Sequence, residues 1–368
     1  MHSSTPSVTS LSMARLPSVT RLKRYRSAPA RALAAFWILF SIAGAARAAE
    51  ERFVFEKAEM GMPFRVTLYA PNAAAARAGA DAAFARIAEL NAVCSDYDSD
   101  SELSRLSRTS GQGKPVPLSN DLWRVLARAQ WFAEQTDGAL DATVGPVVGL
   151  WRNARRKQAL PGAERIAELR QRVGFKNLRL DASARTAELL LPEMRLDLGA
   201  IAKGYAADEA LAVLRASGLP RALVGSGGDM AAGDPPPDQP GGWRVEVAPL
   251  DVSGAPPPQI VLLAHCGIAT SGDVFQRVEI DGVRYSHIVD PHTGMGLTDH
   301  GLVTIVAGDC MTADAMATAV SVLGPRRGFE FVDLTPGVAA HFVHLPAQRI
   351  ELMESKRWKS LPSTPARP

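Results

Sequence analysis

The sequence predicts an α+β fold, antiparallel and mixed sheets with flanking helices, and three observations carry that reading. Apolar residues alternate along short runs such as 53–55 and 64–69, the period of a half-buried strand. Others recur at helical spacing over 72–93, over 119–136 and after Lys203. Asp281-Gly282 separates two strand-like runs as a two-residue hairpin turn, because a type I′ turn needs positive φ at both central positions. Hairpins mixed with long helices are the mark of the α+β class.

The elements run in this order. Phe53-Val-Phe55 and Phe64-Arg-Val-Thr-Leu-Tyr69 read as the first strands. Asn72 opens an Ala-rich helix to about Val93, and Ser119 caps a second helix that Gly138 stops. Short strands around 178–180 and 188–191 lead to Arg195-Leu-Asp-Leu198, and a third helix follows Lys203 and ends at Gly218. Two Pro-rich loops, 233–242 and 254–258, bracket a strand at Trp243-Arg-Val-Glu-Val247. The hairpin runs 275–280 and 283–289 come next, then a strand at 302–306 and a helix at 312–323. From Leu361 onward the chain reads as an unstructured tail. No internal repeat is visible.

The charge balance is a sum of two unlike parts. The chain has 368 residues, 41 Lys+Arg against 38 Asp+Glu. Seven of the basic residues, Arg15 to Arg47, precede Ala48 without a single acidic residue, which leaves 34 basic against 38 acidic in the remainder. A mildly acidic body argues against a nucleic-acid surface. The leader runs from basic residues through the apolar stretch 32–46 to Ala46-Arg47-Ala48, the order of a cleavable secretory signal. That stretch is shorter than the ~20 residues a membrane-spanning helix needs, so an uncleaved inner-membrane anchor is the weaker alternative. The leader has no Arg-Arg pair and no Cys follows the apolar run, so export unfolded through the general pathway is expected, with Met1 or Met13 as the start. Cys94, Cys266 and Cys310, at wide spacing, read as buried thiols rather than a disulfide framework or a zinc site.

Four constellations carry candidate chemistry. In Asp309-Cys-Met-Thr-Ala-Asp314-Ala-Met-Ala-Thr318, Asp314 and Thr318 stand at i and i+4 on one helical face, and oxygen donors of this kind suit a hard divalent cation. A first-turn Asp favoured by the helix dipole is the bland alternative. Asp197-Leu-Gly-Ala-Ile-Ala-Lys203 is a Gly-containing turn entering a helix with a Lys, suited to a diphosphate, or only a tight turn with a surface Lys. Gly225-Ser-Gly-Gly-Asp229 permits close backbone approach to a ligand, or is a bend between strands. In Tyr285-Ser-His287-Ile-Val-Asp290-Pro-His292, His287 ends a hairpin strand as a general base, a phosphate ligand or a structural residue.

Taken in chain order, these segments resemble the ApbE family, the FAD:protein FMN transferases. The resemblance adds Met60-Gly61, the run Ser95 to Arg105 with Tyr97, Gly138-Ala-Leu-Asp141 through Trp151, and Ala269-Thr-Ser-Gly-Asp273, and it spans about Met60 to Gly324. It implies an ApbE-like, T-fold-like domain over residues 49–360, between a signal peptide over 1–48 and a disordered tail over 361–368. It implies Mg2+-dependent cleavage of FAD, release of AMP, and a phosphoester from FMN to a Thr or Ser hydroxyl of a periplasm-facing acceptor protein, with transient inner-membrane association through that acceptor. By position, the metal ligands are Asp314, Thr318 and the backbone oxygens of Ala200 and Ala317. Met60, Tyr97, Ala139, Leu140, Asp141, Asp197, Lys203 and Ile288 fall where the family contacts FAD, and His287 where an essential histidine lies, with Asp314 catalytic beside it. Met62-Pro63 and Gly225-Ser226 depart from the family's usual residues. Tyr97 favours transfer over FAD hydrolysis. A Mg2+-dependent FAD pyrophosphatase and a non-catalytic periplasmic flavin-binding or delivery protein are the alternatives.

Overall fold

Eight strands form the main sheet in strict chain order, each antiparallel to the next. They are β1 (Glu51–Glu59), β2 (Met62–Ala70), β3 (Ala222–Ser226), β4 (Asp229–Ala232), β5 (Cys266–Gly272), β6 (Gly301–Ala307), β7 (Ala339–His344) and β8 (Glu351–Glu354). The computed structural model describes residues 50–274 and 276–365. The signal-peptide assignment and the last three residues of the expected tail lie outside the described residues.

Six helices occupy the long connection from β2 to β3: α1 (Ala73–Cys94), α2 (Glu102–Ser107), α3 (Asn120–Gln135), α4 (Gly145–Lys157), α5 (Ala163–Arg170) and α6 (Ala202–Ala216). The seventh, α7 (Cys310–Leu334), joins β6 to β7. Both caps read from sequence are present. Asn72 Oδ1 accepts the Ala75 N–H at 2.9 Å, and Ser119 Oγ accepts the Leu122 N–H at 3.2 Å. Helix α7 outruns its expected end because the chain breaks helical geometry only at Gly324 (φ 73°), before Pro325, and then resumes. The Asp281-Gly282 turn has φ of 51° and 75°, as a type I′ turn requires. Its hairpin is shorter than expected, Arg277–Ile280 with Val283–Ser286, and beyond it the chain pairs elsewhere, the Ile288 carbonyl accepting the Leu297 N–H at 2.9 Å.

Side-chain alternation decides what covers each face of the sheet. Phe64, Val66, Ala222, Val224, Ala231 and Ala269 point into the core beneath α1, α6 and α7. On the other face Tyr69, Ala232, Ile268 and Val306 pack on Trp243, Val245, Val261 and Leu263 of a three-stranded sheet. Strand β6 is buried at all positions because it is covered on both sides. The third strand of the small sheet corrects the expected tail: Ser363–Pro365 pairs with Gln259–Val261 and gives that sheet an edge. Cys94 and Cys310 are buried, Cys266 is partly buried, and all three are free thiols. No helix among the described residues is long and apolar enough to cross a membrane.

The crossing of α6 and α7 fixes where the polar side chains of both helices converge. Asp208 on α6 accepts the N–H groups of Cys310 and Met311 at the start of α7 at 2.9 and 2.8 Å, and Asp309 caps α7 through the Thr312 N–H at 2.7 Å. These three bonds satisfy donors that a helix start leaves free. Gly204 makes the approach sterically feasible, since a Cβ there would stand 2.3 Å from the Cys310 carbonyl oxygen. Gly204→Ala should therefore destabilise the fold by about 1–3 kcal/mol or more, as overpacking does. Chemical denaturation would show it, and an unchanged midpoint would refute the close packing of this crossing.

Candidate active site

Where α6 meets α7, one ammonium group faces two buried carboxylates. Lys203 Nζ, in the first turn of α6, is 2.5 Å from Asp229 Oδ2 on β4 and 3.4 Å from both Asp314 oxygens on α7. Asp314 is 2 % exposed. Burial and the Asp229 charge push its pKa up to about 7, against the opposing pull of Lys203 and the Gly204 N–H. Burial also works against the Lys203 charge, but Asp229 and Asp314 outweigh it and hold the pKa above the ordinary lysine value. Two carboxylates against one ammonium leave a buried deficit of positive charge.

The backbone at the start of α6 joins this centre. The Gly204 N–H, one of the donors that a helix start leaves free, goes to Asp314 Oδ2 at 3.0 Å. The first turn closes on Ile201, whose carbonyl accepts the Tyr205 N–H at 3.2 Å. One helical turn beyond Asp314, Thr318 Oγ1 lies 3.1 Å from Ser271 Oγ on β5, and Ala317 is buried beside it on α7. A buried carboxylate and a hydroxyl, with the Ala200 carbonyl just before the N-terminus of α6, are hard oxygen donors around a negative site, so these residues fit a small divalent cation.

A second cluster lines an open cleft of about 360 Å³. Arg152 on α4 donates from Nη2 to Asp197 Oδ2 at 2.7 Å, also pairs with Asp96, and lies over the Tyr97 ring with Cζ 4.1 Å from its centroid. Asp197 Oδ1 accepts the Gly199 N–H at 2.8 Å and so shapes the turn that leads into α6. Burial and Asp96 raise the Asp197 pKa despite Arg152. Tyr97 is 76 % exposed at the rim of this cleft, and Arg155, Arg156 and Arg195 also line it.

His287 follows the hairpin directly. Its Nδ1 is 3.1 Å from the Gln276 carbonyl, which accepts the His287 backbone N–H at 3.1 Å as well. A carbonyl only accepts, so Nδ1 carries the proton and Nε2 keeps its lone pair. Burial, then Lys203 and Arg155, lower its pKa to about 4, while the Gln276 hydrogen bond and Asp229 pull the other way. His287 is nonetheless solvent-exposed, so water screens part of this effect.

The remaining expected positions play different parts. Asp141 Oδ1 accepts the Thr143 N–H and hydroxyl at 2.8 and 2.7 Å, so its buried carboxyl shapes the loop from α3 to α4. That loop is joined to the segment after the hairpin by His292, whose Nε2 is 2.6 Å from the Asp137 carbonyl. Ala139, Leu140 and Ile288 are buried, with exposures of 2, 4 and 6 %. Met60 forms the turn from β1 to β2 with φ of 50°. Three residues of the centre were not among the expected site positions. Asp229 closes the Gly-Gly-Asp run and Ser271 sits inside Ala269-Thr-Ser-Gly-Asp273, so motif position could have pointed to both. Arg152, next to Trp151, carries no such signal.

A family model described as the ApbE family matches residues 60–342. The chain belongs to the ApbE family. It is 34% identical over 326 residues to the FAD:protein FMN transferase of Treponema pallidum, covering 84% of this chain and 88% of that protein. It is 34% identical over 252 residues to the FAD:protein FMN transferase of Haemophilus influenzae, covering 67% and 72%. Among solved structures, the flavin transferase ApbE from Vibrio cholerae superposes with a TM-score of 0.76 at 29% identity, covering 85% of this chain and 99% of that one. The apo flavinyl transferase ApbE of Pseudomonas stutzeri gives 0.74 at 28% identity, covering 85% and 97%. The ApbE fold is thus the expected α+β architecture, with its sheet order now explicit.

Proposed function

We propose that this chain is a FAD:protein FMN transferase that joins FMN to a Thr or Ser hydroxyl of an acceptor protein and releases AMP. The observation that carries the reading is the charge-deficient Lys203–Asp229–Asp314 centre, one helical turn from the Ser271–Thr318 hydroxyl pair. In the reaction the acceptor oxygen bonds to the FMN phosphorus, the bond from that phosphorus to the bridging oxygen breaks, and AMP leaves with that oxygen.

Asp314 and Thr318, with the carbonyls of Ala200 and Ala317, would hold Mg2+, which when bound offsets charge on the diphosphate. The rest is the chain's own work. Lys203 holds its charge beside the phosphates. Asp229 keeps Lys203 in place at 2.5 Å. His287 Nε2 takes the proton of the acceptor hydroxyl, within reach of the same charges. Tyr97, on the Arg152 fork, offers an aromatic face at the cleft rim, and the loop through Ala139, Leu140 and Asp141, with Met60 and Ile288, forms the remaining FAD contacts, the buried ones through backbone.

The deciding assay incubates the protein with FAD, Mg2+ and a fragment bearing a Thr acceptor motif, and follows AMP and in-gel flavin fluorescence. A fluorescent fragment with AMP is expected. AMP alone would make the protein an FAD pyrophosphatase, and neither product would make it a flavin-binding or delivery protein.

We further propose that the protein works in the periplasm after loss of residues 1–48, meeting its acceptor at the inner membrane. Cleavage after Ala48 would spare β1, which begins at Glu51. N-terminal sequencing of protein from a periplasmic extract should start at Ala49, and a leader still attached in the membrane fraction would refute this.

A further inference from the structure

The hairpin leading to His287 belongs to none of the larger sheets. Among the described residues its strands pair only with each other, and its apolar side chains Val278, Ile280 and Tyr285 pack on Trp151 and Leu169 of α4 and α5. Asp314 and Thr318 stand on α7, so the proton acceptor and the oxygen-donor centre rest on different supports.

One ion cluster joins them. Arg284, on the second hairpin strand, places Nε 2.5 Å from Asp273 Oδ2 and donates from Nη2 to the Asp273 carbonyl at 2.9 Å. Asp273 is 2 % exposed, and its Oδ1 accepts the Gly301 N–H at 3.2 Å and faces His300 Nδ1 at 2.7 Å. Asp251 completes the cluster, 2.9 Å from His300 Nε2 and 3.3 Å from both Arg277 and Arg284. The carboxylate is thus pinned to the start of β6 on one side and to the hairpin on the other.

Chain position gives this contact its meaning. Asp273 comes two residues after Ser271, whose hydroxyl touches Thr318. Arg284 comes three residues before His287, with Tyr285 and Ser286 buried between. The end of β5 cannot slide, because Gly272 is so close to β6 that a Cβ would lie 2.1 Å from the Gly301 carbonyl oxygen.

We propose that Asp273 and Arg284 form a positioning pair that holds His287 in register with the Asp314–Thr318 centre. The proposal rests on His287 being the base. A buried ion pair adds little net stability, but a guanidinium that meets Asp273 at both its carboxylate and its carbonyl fixes direction as well as distance. A base displaced by about 1 Å loses rate by up to ~10²-fold.

The test compares Arg284→Met, Arg284→Lys, His287→Ala and the Arg284→Met/His287→Ala double variant in the full chain, with FAD, Mg2+ and an acceptor fragment. Arg284→Met should lower kcat by about 10- to 100-fold and leave the KM for FAD within about twofold. Arg284→Lys should recover part of the loss. In the His287→Ala background Arg284→Met should cost nothing further, because the group it positions is gone. Losses that multiply in the double variant, a change confined to KM, or full activity of Arg284→Met would each overturn the pair. If His287→Ala alone ran at the wild-type rate, the base assignment would fall and the pair with it, a pattern distinct from multiplying losses. Should circular dichroism show Arg284→Met unfolded, Arg284→Lys carries the same comparison. It keeps the charge, loses the two-point contact with Asp273, and must slow kcat only when His287 is present.

Discussion

Asp314→Ala should abolish FMN transfer while leaving the fold intact. Asp314 is the one carboxylate on the α7 face that also carries Thr318, and it accepts the Gly204 N–H, a donor that the start of α6 leaves free. Removing it takes away the central oxygen donor of the proposed Mg2+ site. The structural penalty is smaller. Lys203 keeps Asp229 at 2.5 Å and is not orphaned. A Gly204 N–H left unpaired would cost about 1–3 kcal/mol. Activity should therefore fall to background while the unfolding midpoint moves only modestly. AMP release and acceptor labelling, each with and without added Mg2+, measure the first, and urea denaturation the second. Transfer that persists in the variant without added metal would remove Asp314 from the chemistry.

The contrast between those two effects also shows what the sequence could reveal. Local features were legible because their causes are local. Asn72 and Ser119 cap helices with side chains that reach three residues on, and Asp281-Gly282 turns a hairpin because both residues accept positive φ. Helix α4 is not legible because it starts at Gly145-Pro146 without a side-chain cap. Strand β7 is buried at every position, including His341 and His344, so it shows no alternation. The motifs located Lys203, Asp314, Thr318 and His287. Their partners come from tertiary pairing: Asp229 reaches Lys203 from 26 residues away, and Ser271 reaches Thr318 from 47. Spacing along one helix cannot encode a contact made across a sheet.

His287→Ala should slow transfer by about 10²- to 10⁴-fold, the usual range for a lost general base, with FAD binding preserved. The Gln276 carbonyl holds the proton on Nδ1, so Nε2 is the ring atom able to accept one. Burial, Lys203 and Arg155 together lower the pKa to about 4, so the imidazole is neutral at neutral pH and available as a base. The same depression makes it a weaker base than a free imidazole, which suits a hydroxyl whose proton departs only as the new P–O bond forms. Stability shifts with pH in a defined direction. The unfolded chain binds this proton below the ordinary value near 6.5 and the folded chain only near 4, so this group's contribution to stability is present above the unfolded pKa and is lost as pH falls through the folded pKa. For activity, the acid limb of kcat/KM should lie below the ordinary histidine value and vanish in His287→Ala. Acceptor labelling measured across pH, with flavin fluorescence as the control for FAD binding, separates the two. A variant that labels its acceptor at the wild-type rate through neutral pH would move the proton transfer to another group, and a limb unchanged by the substitution would assign the titration elsewhere.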